Sequence, residues 1–185
     1  RKCRLRTYVS ETAAIYIPPD VLEKVVEGLV RNAVENTPDG GHISVKVRKG
    51  EIGPEFEVKD SGIGISEENL RLIFENYFTS YDTMRYSTRQ PYDFKAGGKG
   101  FDLLRMKIFS ERYNFRIKMT SQPCHLVDEE GLECPGNIAD CVPDSNARDC
   151  RNTGGTTVTV QFYPAARFRR RNGPRGAAFG QSRGN

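Results

Sequence analysis

Asp60-Ser61-Gly62-Ile63-Gly64-Ile65 places a carboxylate at the end of a short apolar strand, Phe56 to Lys59, in which Phe56 and Val58 alternate. A buried aspartate there is costly unless hydrogen-bond donors meet it. An exocyclic amine, such as that of adenine, is one such donor. Gly62 and Gly64 allow a sharp turn and the close approach of a flat ligand. The same six residues also read as an ordinary strand-turn-helix connection, with glycines for geometry alone.

Two further patterns bear on the same chemistry. Gly28, Asn32 and Asn36 recur every four residues and share one ridge of a helix. An asparagine carbonyl suits Mg2+, which also takes phosphate oxygens and water. Gly28 leaves room for a bulky group, and a polar surface asparagine is the plain alternative. Gly97-Gly98-Lys99-Gly100 precedes another helical stretch. Free N–H groups and the positive dipole end there form an anion site, to which Lys99 adds a point charge. His42 and His125 sit at a strand start and in a cysteine-rich stretch, and both read as polar surface residues.

The elements that would carry these residues follow from periodicity. Tyr8-Val9 and Ile15-Tyr16-Ile17 are short strand candidates, and Asp20 with Glu23 gives a helix N-cap signal. Val21, Leu22, Val25, Val26, Leu29, Val30, Ala33 and Val34 form a helical stripe that Asn36 to Gly41 ends. Ile43, Val45 and Val47 alternate as a strand, and Gly50 to Pro54 turns the chain into the strand before Asp60. Ser66 caps a helix reaching about Glu75, and a second helix covers about Phe101 to Tyr113. Phe115, Ile117 and Met119 alternate, as do Val158, Val160 and Phe162. Residues 77–99 have no steady period, the mark of a lid or a disordered segment. Helices interleaved with hairpin-like strands predict a two-layer α/β sandwich, a mixed sheet packed on about three helices.

The 185 residues suffice for one domain with a real core, and no apolar run approaches a membrane span. The chain starts at Arg1 without a signal-peptide pattern and reads as a fragment, any membrane segment lying outside it. The net charge of +4 is unevenly spread, because residues 164–185 hold six Arg and no acid while residues 1–163 carry 22 basic and 24 acidic groups. The expected layout is a domain over 1–163 and a basic, flexible tail over 164–185. Arg167, Arg169, Arg170 and Arg171 could touch nucleic acid or anionic lipid, although a solvated terminus accounts for them as well.

Residues 121–153 form a cysteine-rich insert, with Cys124, Cys134, Cys141 and Cys150 separated by nine, six and eight residues. Structural zinc sites more often pair cysteines two to four residues apart. Free thiols, two disulfides and a metal site all stay open, and a redox-sensitive or partner-docking role is the functional form of that question. Cys3 reads as a free thiol.

Taken in order, these pieces resemble the ATP-binding domain of sensor histidine kinases, within the superfamily shared with gyrase, Hsp90 and MutL. Asn32 to Gly41 is similar to that family's N box, Asp60 to Ile65 to its G1 box, and Ile73 to Thr79 to its F box. Gly98 to Leu103 resembles its G2 box, and Gly154-Gly155-Thr156-Thr157 its closing strand. The resemblance spans about residues 17–163 and implies a Bergerat-type fold and an ATP and Mg2+ site. By it, Asn32 would hold Mg2+, and Asp60 would accept from the adenine amine with Thr156 nearby. Gly62, Gly64 and Ile65 would shape the adenine pocket with Asn36, Phe74 and Tyr77. Gly98, Lys99, Gly100 and Phe101 would face the phosphates, and residues 77–97 would be the lid. It further implies a cytoplasmic domain of a homodimer, with room for a membrane anchor elsewhere in the full-length protein. The γ-phosphoryl would pass to a histidine on a separate dimerisation domain and on to a response regulator, with no nucleic-acid partner.

Three positions depart from the family pattern. Gly28 stands where Asn or Glu is frequent, and Glu27 lies about 100° round the helix. A gyrase-like general base is therefore disfavoured. Glu35 replaces a frequent basic residue, removing a phosphate contact, and Asp102 interrupts the usual Gly-Leu-Gly-Leu. A nucleotide-binding or docking module without phosphotransfer is the alternative these departures favour.

Overall fold

The computed structural model describes residues 2–72, 92–96, 101–128, 133–141 and 147–165. Five strands form one mixed sheet: β1 (Arg4–Val9), β2 (His42–Lys49), β3 (Pro54–Asp60), β4 (Arg116–Gln122) and β5 (Gly155–Gln161), in the spatial order β1-β2-β3-β5-β4. Only β1 and β2 run parallel, and β3 lies at the centre between β2 and β5.

The long helix α1 (Pro19–Asn36) and helix α3 (Phe101–Tyr113) cover one face. Val25, Leu29 and Ala33 of α1 and Met106 of α3 pack on Ile43, Phe56, Val58, Val158 and Val160, with Phe115 and Phe162 closing the end of this core. The other face of the sheet is polar. There Glu55 and Glu57, buried on β3, are met by Lys46, Arg48 and Gln161 from the flanking strands. Paired in this way, the two carboxylates avoid the cost of unpartnered burial.

The α/β sandwich is as the sequence predicts, and two local expectations change. Helix α1 begins at Pro19, with Pro18 as its cap and no side-chain capping bond, so Asp20 lies inside the first turn. Proline at the first helical position has no N–H to cap and a φ already suited to the helix. The N–H groups of Val21 and Leu22 instead reach the Pro18 carbonyl, both at 3.1 Å. Ile15 to Ile17 forms only a single bridge from Ile15 to Pro164, and the sheet edge is taken by the longer β1. Beyond Ser66, whose hydroxyl accepts from the Asn69 N–H at 3.4 Å, helix α2 is described over Glu67–Leu72. The rest of the expected Ser66–Glu75 helix lies outside the described residues. Among the described residues no helix is long and apolar enough to cross a membrane.

The insert contains α4 (His125–Asp128), a 3-10 turn (Ile138–Asp140) and α5 (Ala147–Thr153). Backbone bonds fasten it to the domain. The Cys124 N–H donates to Ile63 O at 2.8 Å, Asp39 N–H to Gly136 O at 2.8 Å, and Ile138 N–H to Asp39 O at 2.9 Å.

Candidate nucleotide-binding site

Asp60 ends the central strand with the same parity as the core residues Phe56 and Val58, and it is buried. Its Oδ1 accepts from the Gly62 N–H at 2.9 Å and from the Thr156 N–H of β5 at 3.2 Å. Burial outweighs these bonds and raises the carboxyl from 3.8 to about 6. Because both bonds end on Oδ1, Oδ2 is the oxygen left to meet an amine. The residue types fit an adenine: a pre-oriented carboxylate beside a glycine turn.

The turn itself has little latitude. Gly64 has φ +71°, and a Cβ there would collide with the Gln122 carbonyl at the end of β4. A Cβ on Gly62 would strike the Asn36 carbonyl, to which Ile63 donates at 3.2 Å. Both glycines are therefore required by the approach of α1 and β4 before any ligand is considered. Ile65 donates its N–H to Ser121 Oγ at 2.8 Å, and that hydroxyl pairs with Thr156 Oγ1 at 2.8 Å. Thr156 lies beside Asp60 as the resemblance implies, but through its amide; its hydroxyl belongs to Ser121.

On α1, the half-buried Asn32 has no side-chain hydrogen bond among the described residues, so its carbonyl oxygen suits a cation. Asn36 donates from Nδ2 to Asn32 O at 2.8 Å, which turns its amide back along the helix. Glu27 is exposed and Gly28 buried, so neither offers a base on the helix's inner side.

Glu35 is a functional candidate that reading the sequence undervalues. It is buried, its Oε1 accepts the Tyr92 N–H at 3.2 Å, and its backbone oxygen accepts the Lys95 N–H at 2.7 Å. It thereby fixes the end of the expected lid to α1. Nothing local signals this, because the contact joins residues 57 apart.

Phe74, Tyr77, Gly98, Lys99 and Gly100 lie outside the described residues, as does most of the expected lid. Phe101 opens α3. His42 begins β2, and burial together with Arg151, Arg4 and Arg6 lowers its imidazole. Cys3, Cys124, Cys134, Cys141 and Cys150 are all free thiols, so no disulfide joins the insert. A cleft of about 850 Å³ takes in Asp60, Ser61 and Gly155 of this site together with Arg6, Ser44, Lys59 and Arg151. Ser44, Lys59 and Thr157 alternate with core residues, so the cleft runs from the Asp60 end of β3 onto the sheet face opposite the helices.

The family of histidine kinase-, DNA gyrase B-, and HSP90-like ATPases matches residues 18–166, and the chain belongs to it. It is 30% identical over 103 residues to the sensor-like histidine kinase SenX3 of Mycolicibacterium smegmatis, covering 56% of this chain and 25% of that protein. It is 31% identical over 119 residues to the phosphate regulon sensor protein PhoR of Pseudomonas aeruginosa, covering 60% of this chain and again 25% of the relative. The chain thus spans about a quarter of the length of these relatives. The solved structure of the mycobacterial sensor histidine kinase MprB shares the fold, with a TM-score of 0.57 at 18% identity over 88% of this chain and 83% of that one. The family match and these similar proteins make the chain an ATPase-type domain of the kind that sensor histidine kinases also carry.

Proposed function

We propose that this domain binds Mg–ATP and presents its γ-phosphoryl to a histidine on a dimerisation domain elsewhere in the same protein. The supporting observation is the Asp60 carboxylate, buried on the central strand with Oδ1 engaged by two backbone N–H groups. Asp60 would hold the adenine amine through Oδ2, Gly62 and Gly64 would leave the base its space, and Asn32 would offer an oxygen to Mg2+. Gly98, Lys99 and Gly100 would receive the phosphates, with Phe74 and Tyr77 flanking the pocket. The chemistry such an ion would supply, held by Asn32, is neutralisation of phosphate charge. The rest of the work is positioning, since the acceptor histidine lies on another domain. A homodimer anchored at a membrane, signalling to a response regulator, completes this reading.

Glu35 favours a second reading, a nucleotide-responsive docking module. Its carboxylate is engaged by Tyr92 and offers no positive charge to a phosphate. Calorimetric titration with ADP and a non-hydrolysable ATP analogue, with and without Mg2+, tests the first step. Micromolar to sub-millimolar affinity that disappears in Asp60→Asn is expected, and no binding by the wild-type domain would overturn both readings. Phosphotransfer to a supplied dimerisation domain then separates kinase from docking module.

A further inference from the structure

Among the described residues no group of three His, Cys, Asp or Glu side chains is set to hold a metal ion, so the cysteines of the insert carry no metal site there. The sheet face opposite the helices carries a stronger pattern. Strand register places Arg6, Ser44, Lys59, Thr157 and Thr120 in one row across all five strands. Alternate residues of a strand share a face, so the pairs Lys46–Glu57 and Arg48–Glu55 lie one and two rows further along the same side. Those rows are internally balanced, because Lys46 and Arg48 form ion pairs with the buried Glu57 and Glu55. In the row at the Asp60 end the charge reverses. There β3 presents Lys59 where its other rows have glutamates, and β1 adds Arg6. Both cations are exposed, and neither has a carboxylate partner among the described residues.

We propose that Arg6, Ser44, Lys59 and Arg151 bind the phosphate group of a small phosphorylated molecule in the cleft on this face. Neighbouring strands lie about 4.8 Å apart, so the backbones of Arg6 and Lys59 stand about 10 Å from each other with Ser44 between them. From there a guanidinium fork and an ammonium can close on one tetrahedral anion. Ser44 Oγ is shut off from solvent and has no hydrogen-bond partner among the described residues. Such a hydroxyl is costly to leave unpaired, and a phosphate oxygen drawn in by its two long, exposed neighbours satisfies it. Arg151 also lines the cleft; its Nε donates to the Gly40 carbonyl at 3.1 Å, which leaves its Nη groups for a ligand. At about 850 Å³ the cleft holds more than a lone phosphate and matches the size of small-ligand sites.

The field of the cleft suits the same ligand. Its one acid is Asp60, whose parity turns it to the helix side, where Oδ1 meets Gly62 and Thr156. His42, also in the lining, is held toward its neutral form by burial and then by Arg151, Arg4 and Arg6. A bound phosphate offsets those three cations. The site is not that of the nucleotide's own phosphates, because α1, which carries Asn32, packs on the other face of the sheet.

The test is calorimetric titration of the whole chain with pyrophosphate, inorganic phosphate and succinate, at constant ionic strength and without Mg2+. Pyrophosphate should bind with submillimolar affinity, more tightly than either other anion. Arg6→Gln and Lys59→Gln, both surface changes, should each weaken it about tenfold or more, as for loss of a charge-assisted hydrogen bond. Ser44→Ala should also weaken it, yet melt no lower than the wild type, because the hydroxyl it removes is unpaired. The chain has two histidines, so His125→Gln leaves one imidazole signal by NMR, and pyrophosphate should raise the pH midpoint of that His42 signal. No binding at millimolar pyrophosphate, an unmoved His42, or an affinity that the Arg6 and Lys59 variants leave unchanged would each overturn the site. Succinate bound as tightly would make it a carboxylate site, and inorganic phosphate bound as tightly would make it a site for the free ion; either result overturns the assignment. Pyrophosphate should bind equally well with ADP present, whereas displacement by ADP would move it to the nucleotide pocket and overturn the second site. A domain that binds pyrophosphate but no ADP would fail the nucleotide reading and leave this one standing.

Discussion

Asp60 is held by two backbone N–H groups, yet burial outweighs them and its carboxyl titrates near 6, not at 3.8. Between those values the folded protein binds a proton that the unfolded chain has released. For this group, stability is therefore highest below about pH 4, falls as pH rises through 6, and levels off above it. The deficit there is about 3 kcal/mol, at 1.36 kcal/mol per unit. Asp60→Asn keeps an oxygen for Gly62 and Thr156 and removes the charge. Its melting temperature at pH 8 should exceed the wild type's by several degrees, with the gap closing near pH 4. Nucleotide binding should vanish, because an amide N–H would face the adenine amine. Thermal melts at pH 4, 6 and 8 check this, and a lower melting point than wild type at pH 8 would sink it. Asp60, Gly62 and Gly64 were legible in the sequence because strand end, turn and cap are adjacent. That Thr156 serves through its amide was not, since this depends on β5 pairing beside β3 and on Ser121 taking the hydroxyl.

At the scale of elements, α1 does two jobs on two faces. Its apolar stripe was readable from the 3.6-residue period, and Val25, Leu29 and Ala33 form the core as that period requires. Its C-terminal turn also carries Glu35, whose part as a tether was hidden because its partner is a backbone N–H far along the chain. Glu35→Ala should cost about 1.5–3 kcal/mol, the range for a hydrogen bond to a charged group. It should also speed amide exchange at Tyr92, while Glu35→Gln, which keeps an acceptor oxygen, restores most of both. Equal exchange at Tyr92 in the alanine variant and the wild type would remove the tether. Strand β1 was only partly legible, because all six of its residues are exposed and no buried side imposes an alternation.

For the molecule as a whole, the arrangement of strands has a kinetic meaning. Strands β2 and β3 are joined by a tight turn, in which Gly50 donates to Gly53 O at 2.8 Å, so their pairing can form locally and early. Strand β5 reaches β3 from the far end of the chain, and the bond from Thr156 to Asp60 closes a separation of 96 residues. Contacts of long range are slow to form because loop closure costs entropy before any pairing repays it. The seam between β3 and β5 is thus expected to assemble late and to be among the first parts of the sheet to open. The candidate nucleotide pocket sits across that seam, so a bound nucleotide acts as a stitch over the weakest line of the sheet. Native-state hydrogen exchange should show the Thr156 amide slowed strongly by ADP, while the amides of Val45 and Val47 barely change. Equal slowing at both places would mean that the sheet opens as one unit. Unequal slowing would mean that the molecule's last folding step and its ligand meet at the same line of hydrogen bonds.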